Sequence, residues 1–192
     1  LWRNQNDGST VVFHMAGPGG FINAVPTSFT VASLDWKIVG TPDIDGDGNH
    51  DILWRHQGTG NVTAFLMNDT TQVNQVTPDA SIPNTAWKIV GTGDFDRDGN
   101  YDILWRHQGT GQTVIFFMSG TTRLSSPTAG FNIPSLAWQI VGCQDVNRDG
   151  ASDIIWRHDD GRTSIFIMDG INLTDVRVPT YGTIGSVWKL FP

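Results

Sequence analysis

Apolar and aromatic residues fall in short runs along this chain, and Gly, Asn, Asp or Pro bounds each run. The clearest runs are Lys37–Val39, Ile52–Gln57, Val62–Met67 and, less regularly, Gln72–Val76. Runs of this length between turn-forming residues are typical of β-strands. No window of about twelve residues has the apolar period and the caps of an amphipathic helix. The pattern therefore predicts an all-β chain of short strands joined by tight turns.

The pattern repeats along the chain with a period of about 51 residues. Its first marker is Trp-Lys-Ile-Val-Gly or a close variant, with tryptophans Trp36, Trp87, Trp138 and Trp188. The second marker is Leu-Trp-Arg or Ile-Trp-Arg, with tryptophans Trp2, Trp54, Trp105 and Trp156. The third marker is Phe-x-Met, with methionines Met15, Met67, Met118 and Met168. All 8 Trp and all 4 Met lie on these markers, so the chain consists of tandem repeats.

Short antiparallel strands, four to each repeat of this length, are the unit of a β-propeller blade. Both faces of a blade pack against neighbouring blades, which explains why the strands are apolar on both sides. We therefore predict an all-β fold: a β-propeller of four blades, each a four-stranded antiparallel sheet, forming a single domain over residues 1–192. The repeats are expected at about 1–35, 36–86, 87–137 and 138–185.

The phase of the repeat at the two ends predicts how the ring closes. If the Trp-Lys-Ile strand comes first in its blade, the chain begins at a second strand and ends on a spare first strand, Ser186–Phe191. Pairing of this strand beside Leu1–Asn4 would complete the first blade and remove an exposed edge. The alternative is a four-blade piece that completes a larger ring with a second chain, as a homo-oligomer, or with further sequence.

Three repeats carry an aspartate-rich loop between their first two strands, with the pattern D-x-(D/N)-x-D-G-x-x-D. Ca²⁺ prefers about six to eight oxygen ligands, and a glycine at the sixth position permits the sharp turn. Of the 19 acidic residues, eleven lie in these loops. We therefore predict three Ca²⁺ sites, with the seventh position offering a backbone carbonyl. The candidate ligands are Asp43, Asp45, Asp47, Asn49 and Asp51 in the first loop, Asp94, Asp96, Asp98, Asn100 and Asp102 in the second, and Asp145, Asn147, Asp149, Ala151 and Asp153 in the third.

Other interpretations of these loops are less consistent with the sequence. An EF-hand needs a bidentate Glu at its twelfth position and flanking helices, whereas this position is Trp54 in the first loop and the flanks are strands. Mg²⁺ uses fewer protein ligands than these loops offer. A set of metal-free Asx turns is the remaining alternative, and the recurrence of the loop at matched positions favours the metal.

On these loops and on the Leu-Trp-Arg strands, the chain resembles FG-GAP/VCBS-type repeats, the units of integrin-α-like propellers and of many secreted bacterial proteins. The resemblance covers essentially the whole chain. It implies structural Ca²⁺ between the first two strands of a blade, a secreted or cell-surface location, and an adhesive or lectin-like binding role, often as a module fused to another domain. Propellers of this family usually have seven blades, whereas this chain has four.

Composition limits the range of functions. The formal net charge is −7 and there is no basic cluster, so nucleic acid is not an expected partner. The sequence contains no apolar run of about 18 residues, so insertion in a membrane is not expected. The chain opens on Leu1 without a signal-peptide pattern, which is expected of a processed or excised product.

The remaining candidate functional residues are the Arg-His pairs that follow Trp54, Trp105 and Trp156. A catalytic site is a single constellation of differing residues, whereas these residues are repeated, so the chain is not expected to be an enzyme. Their position at equivalent strand ends suits ligand binding, with carbohydrate or an extracellular protein as the ligand. An accessory, non-catalytic domain of a secreted enzyme is the alternative. The candidate ligand contacts are Arg55, His56, Arg106, His107, Arg157 and His158.

Overall fold

The structure is a computed structural model that describes residues 1–16 and 20–179. Fifteen β-strands and no helix occur among the described residues. The chain divides into two compact units, Leu1–Pro83 and Asn84–Pro192. Each unit contains two antiparallel sheets whose strands follow one another in sequence order.

The first unit begins with a three-stranded sheet of β1 (Trp2–Arg3), β2 (Ser9–Met15) and β3 (Phe21–Thr30). Its second sheet has four strands, β4 (Trp36–Gly40), β5 (Ile52–His56), β6 (Val62–Asn68) and β7 (Thr71–Val76). The aspartate loop at residues 43–51 connects β4 to β5.

The second unit has two four-stranded sheets. One consists of β8 (Trp87–Gly93), β9 (Asp102–His107), β10 (Thr113–Ser119) and β11 (Thr122–Ser125). The other consists of β12 (Trp138–Gln144), β13 (Asp153–His158), β14 (Thr163–Asp169) and β15 (Asn172–Arg177). The second and third aspartate loops connect β8 to β9 and β12 to β13.

Four sheets of sequential antiparallel strands are the blades of a β-propeller. The predicted all-β class and the four-bladed β-propeller fold are therefore confirmed. The predicted closing strand, Ser186–Phe191, lies outside the described residues. The grouping of all four blades into one domain stays a prediction.

The repeated Trp, Phe and Met side chains form the core, as the pattern predicted. In the blade β4–β7, Trp54 and Met67 are 0% and 2% exposed, and the corresponding residues of the later blades are buried in the same way. The first blade differs, because Trp2, Phe13 and Met15 are 65%, 42% and 56% exposed. The same three positions therefore form a buried core in three blades and an exposed apolar face on β1–β3.

Within each unit, an aromatic residue of one blade packs against the core of the next. The Phe29 ring meets Phe65 edge-on, with 4.9 Å between the ring centroids. Phe131 meets Phe166 in the same way at 5.3 Å. Edge-to-face pairs are favourable beyond the area they bury. These contacts join neighbouring blades inside a unit.

Candidate metal sites and the contacts around them

The aspartate at the first position of each loop holds the loop in shape. In the first loop, Asp43 accepts hydrogen bonds from the backbone amides of Gly46 at 2.8 Å and Gly48 at 2.9 Å. Asp94 and Asp145 accept equivalent bonds in the other loops. The sixth-position glycine has a left-handed backbone, with φ of 89° at Gly48, a conformation that costs a glycine nothing.

The aspartate at the ninth position connects the loop to the third strand of its blade. One carboxylate oxygen of Asp102 accepts the Phe95 amide at 2.8 Å, and the other accepts the Met118 amide at 3.0 Å. Asp51 and Asp153 make the same two bonds in their blades. All three aspartates are 0% exposed. Their carboxylates therefore hold the blade together in addition to facing the loop.

Burial raises the pKa of two of the ninth-position carboxyl groups, those of Asp51 and Asp102. Desolvation raises the pKa of Asp102 to about 7, against the lowering effect of its two amide hydrogen bonds. Desolvation also raises the pKa of Asp51, and the negative charges of Asp45 and Asp47 raise it further. A bound cation would offset this repulsion.

Two of the three loops bring three carboxylates together. Oxygens of Asp43, Asp45 and Asp51 all lie within 4.8 Å of one another, and so do those of the equivalent residues Asp94, Asp96 and Asp102. A compact set of hard oxygen donors next to backbone carbonyls fits Ca²⁺. The third loop has Asn147 at the third position, so it offers two carboxylates at these places and an amide oxygen.

The fifth-position aspartates, which were also predicted as ligands, are engaged with the seventh position. Both oxygens of Asp47 accept hydrogen bonds from Asn49, one from its backbone at 2.7 Å and one from its side chain at 3.0 Å. These bonds lower the pKa of Asp47. Asp98 accepts the backbone amide of Asn100 at 2.7 Å. This position therefore closes a turn beside the carboxylate group of each loop.

The repeated arginines, predicted as ligand contacts, lie in the interior. Arg55, Arg106 and Arg157 are 0%, 1% and 9% exposed. The guanidinium group of Arg106 donates to the backbone carbonyls of Ile133 at 3.0 Å and Ser135 at 3.1 Å, and also to that of Trp138. It lies 5.0 Å from the ring centroid of Trp156 in the neighbouring blade of its unit. Arg106 is therefore a connection between blades.

Arg3 of the first repeat makes the same connection between blades, and its sequence context indicates this role. Arg3 donates to the carbonyls of Val31, Ser33 and Trp36, and lies 4.9 Å from the ring centroid of Trp54. Arg3 is followed by Asn4 and not by His. An arginine that recurs without its histidine beside a core tryptophan indicates packing more strongly than ligand binding.

The repeated histidines contact the tryptophan at the start of their own blade. The rings of His56 and Trp36 meet edge-on with 5.1 Å between centroids, and His107 and His158 make the same contact with their tryptophans. Nδ1 of His56 accepts the backbone amides of Gly58 and Thr59, both at 3.2 Å. These rings close the turn between the second and third strands. Each of the three histidines is partly buried.

Each unit has a depression that is open to solvent in its described part. A groove of about 570 Å³ in the second unit is lined by Thr110, Gln112, Thr128, Ala129, Gly130, Phe131 and Asn132. A smaller depression of about 310 Å³ in the first unit lies beside the first aspartate loop, at Asn49, His50 and Asp51. The larger groove has no charged lining residue; hydroxyl and amide side chains line it together with Ala129, Gly130 and the aromatic Phe131.

Comparisons with known proteins agree with the repeat. Residues 43–105, which run from the first aspartate loop to Trp105 of β9, match the FG-GAP-like repeat family. No curated protein sequence is significantly similar to the chain. Among solved structures, a Photorhabdus luminescens Tc holotoxin pore is similar over 91% of this chain, with 14% sequence identity and a TM-score of 0.46. The match covers 11% of that chain, so this chain spans about a tenth of its neighbour's length.

The described residues also include no helix that is long and apolar enough to cross a membrane.

Proposed function

We propose that this chain, in which residues 43–105 match the FG-GAP-like repeat family, is a calcium-stabilised binding module, secreted or at the cell surface, in which calcium is structural. The observation that carries the calcium part is the convergence of three carboxylates in each of the first two loops. Catalysis is not part of this function, because the repeated histidines close turns and two of the repeated arginines, Arg3 and Arg106, join neighbouring blades. The module is compatible with a role beside the catalytic domain of a secreted enzyme.

Calcium would be held by the first, third and ninth positions of a loop. Asp94, Asp96 and Asp102 supply these carboxylates in the second loop. A bound ion would neutralise aspartates whose repulsion otherwise opposes the fold, and would connect the loop to β9 through Asp102. The third-position residues Asp45 and Asp96 are exposed, and extracellular calcium modules bind with a Kd of about 10⁻⁴–10⁻³ M. Such sites suit a location where calcium is millimolar.

The ligand that we favour is carbohydrate, bound in the groove of the second unit. Thr110, Gln112, Thr128 and Asn132 offer hydroxyl and amide groups that match sugar hydroxyls, and Phe131, which is partly buried against Phe166, also lines the groove. The groove has no charged lining residue, which is compatible with an uncharged sugar. The side chains of Arg55 and Arg106 are buried, so they are not accessible to a ligand. A single binding site in this groove is therefore better supported than binding sites repeated on every blade.

A second candidate function, binding of a further propeller blade or protein, is supported by the exposed face of the first blade. Trp2 and Phe13 lie 5.5 Å apart and Phe13 and Phe21 lie 5.8 Å apart, between ring centroids. Exposed apolar surfaces of this kind mark interaction sites. The equivalent Trp54 and Phe65 are covered by Phe29 from a neighbouring blade, which is the chemistry such a partner would bring.

A glycan-array screen in millimolar calcium and in excess chelator tests the binding function. We expect glycans that are retained in calcium and lost in chelator, and a titration that gives one site per chain. The Gln112→Ala variant should weaken binding at least tenfold, because Gln112 lines the groove. Asn61→Ala is the matched control, since Asn61 occupies the same repeat position in the blade β4–β7 and should bind as the wild type does.

Other outcomes of this experiment have definite meanings. A titration with several equivalent sites would favour the repeated contacts at His56, His107 and His158 over the groove. A screen without any bound glycan would contradict the lectin-like function. Light scattering measures the mass of the same preparation. A mass that is a multiple of the 21.1 kDa chain, and that falls to the monomer mass in the Phe21→Ser variant, would favour the second candidate.

A further inference from the structure

We propose that Arg97 of the second loop serves as the cation of the third loop, so that the chain binds two Ca²⁺ and not three. This inference rests on the calcium binding proposed above and assigns it to particular loops. The three loops share one pattern, but a guanidinium group meets the carboxylate of the fifth position in the third loop alone among the described residues.

Arg97 reaches across from one blade of the second unit to the next. Its Nε donates to the backbone carbonyl of Asp149 at 2.9 Å, and its Nη2 lies 3.1 Å from the Asp149 carboxylate. Its Nη1 donates to the carboxylate of Asp169, the last residue of β14, at 2.6 Å. Charge-assisted bonds from one planar group to three oxygens fix its position. One positive charge is thus held against the third loop.

The two loops lie close because their first strands approach closely. A Cβ atom on Gly91 of β8 would lie 2.3 Å from Sγ of Cys143 in β12, so only glycine fits there. The backbone amide of Ser152 in the third loop then donates to the carbonyl of Asp94 in the second loop at 2.6 Å. The backbone therefore brings Arg97, an exposed residue, next to Asp149.

The donor set of the third loop is also the weakest of the three. Asn147 replaces a carboxylate, and its side-chain amide donates to Asp149 at 2.9 Å. The other oxygen of Asp149 accepts the backbone amide of Ala151, also at 2.9 Å. Together with Arg97, these donors satisfy the carboxylate of Asp149, whose backbone amide donates to the first- and third-position residues Asp145 and Asn147. A divalent ion beside them would also be repelled by the guanidinium charge.

The first loop shows what the fourth position requires. Gly46 has a φ of 75° there, whereas Arg97 and Arg148 occupy the equivalent places with φ of 66° and 64°. This left-handed conformation favours glycine. Replacement of either arginine by glycine is therefore compatible with the backbone, and the two substitutions form a matched pair. Arg97→Gly removes the guanidinium group from Asp149. Arg148→Gly makes the same change at an equivalent left-handed position and leaves the contact between Arg97 and Asp149 in place.

Equilibrium dialysis at free calcium concentrations raised until binding saturates, with calcium per folded chain measured by elemental analysis, tests this assignment. We expect two ions for the wild type, three for Arg97→Gly and two for Arg148→Gly. Asp145→Asn placed on Arg97→Gly should return the count to two, which would locate the third ion in the third loop. Circular dichroism confirms that each variant is folded.

Three ions on the wild type, or two on Arg97→Gly, would overturn the role of Arg97 and leave calcium binding by the module intact. A wild-type chain that binds no ion would instead overturn the proposed calcium stabilisation, and this inference with it.

Discussion

Replacement of Asp102 by alanine is expected to lower the free energy of unfolding by about 2–5 kcal/mol in chelator. Asp102 is 0% exposed and both of its oxygens accept buried backbone amides, those of Phe95 and Met118. Each amide left without an acceptor costs about 1–3 kcal/mol, and the relief from burying a carboxylate offsets part of the loss. In calcium the loss should be at least as large, because the same carboxylate also faces the ion.

Urea unfolding of Asp102→Ala and of Asp98→Ala, with and without chelator, measures this effect. Asp98 is exposed in the same loop, so its loss should cost less than about 1 kcal/mol in chelator. A variant Asp102→Ala that is as stable as the wild type in chelator, and weaker only in calcium, would show that the ninth-position aspartate is a metal ligand without a role in the blade.

Replacement of Arg106 by alanine should have an effect of similar size, about 3–5 kcal/mol. The guanidinium group donates to three backbone carbonyls and stacks over Trp156, and the residue is 1% exposed. Its removal leaves these carbonyls without a donor between two blades and opens a space beside the indole ring. Lysine should recover less than half of the loss, since a single ammonium cannot reproduce the planar fork.

The control for Arg106→Ala is Arg177→Ala. Arg177 is an exposed residue paired with Asp175 at 3.3 Å, and surface pairs contribute at most about 1 kcal/mol. Urea unfolding and glycan binding are measured on both variants. If Arg106→Ala unfolds like the wild type but no longer binds glycan, the repeated arginines are ligand contacts and not connections between blades.

The repeated pattern was sufficient to predict the strands, because each strand is set by local sequence and turns. The predicted runs Lys37–Val39, Ile52–Gln57 and Val62–Met67 correspond to β4, β5 and β6 within about one residue at each end. The core positions followed from the same repetition. Trp54, Trp105 and Trp156 are buried as the repetition predicted, whereas Trp2 at the same position of the first repeat is exposed.

The sites were less predictable, because side-chain destinations depend on the neighbouring blade. The sequence places Arg106 beside a turn, but its long side chain crosses to Trp156 of the next blade. The aspartate pattern indicated that Asp102 faces an ion, and nothing in it pointed to the amide of Met118, 16 residues away. Likewise, Arg97 meets Asp149 only because β8 and β12 lie close.

Thermal unfolding of the wild-type chain in excess calcium, then in excess chelator, then with calcium restored, tests calcium stabilisation most directly. An ion that binds only the folded chain contributes about 2.7 kcal/mol at a hundredfold excess over its Kd, so two sites contribute about 5 kcal/mol. For a chain of this size that corresponds to a fall in Tm of about 10–20 °C in chelator. Asp45→Ala and Asp96→Ala should each lose about half of the calcium-dependent part. We predict this fall and its full reversal by calcium; a melting curve that chelator leaves unchanged would contradict calcium stabilisation of the blades.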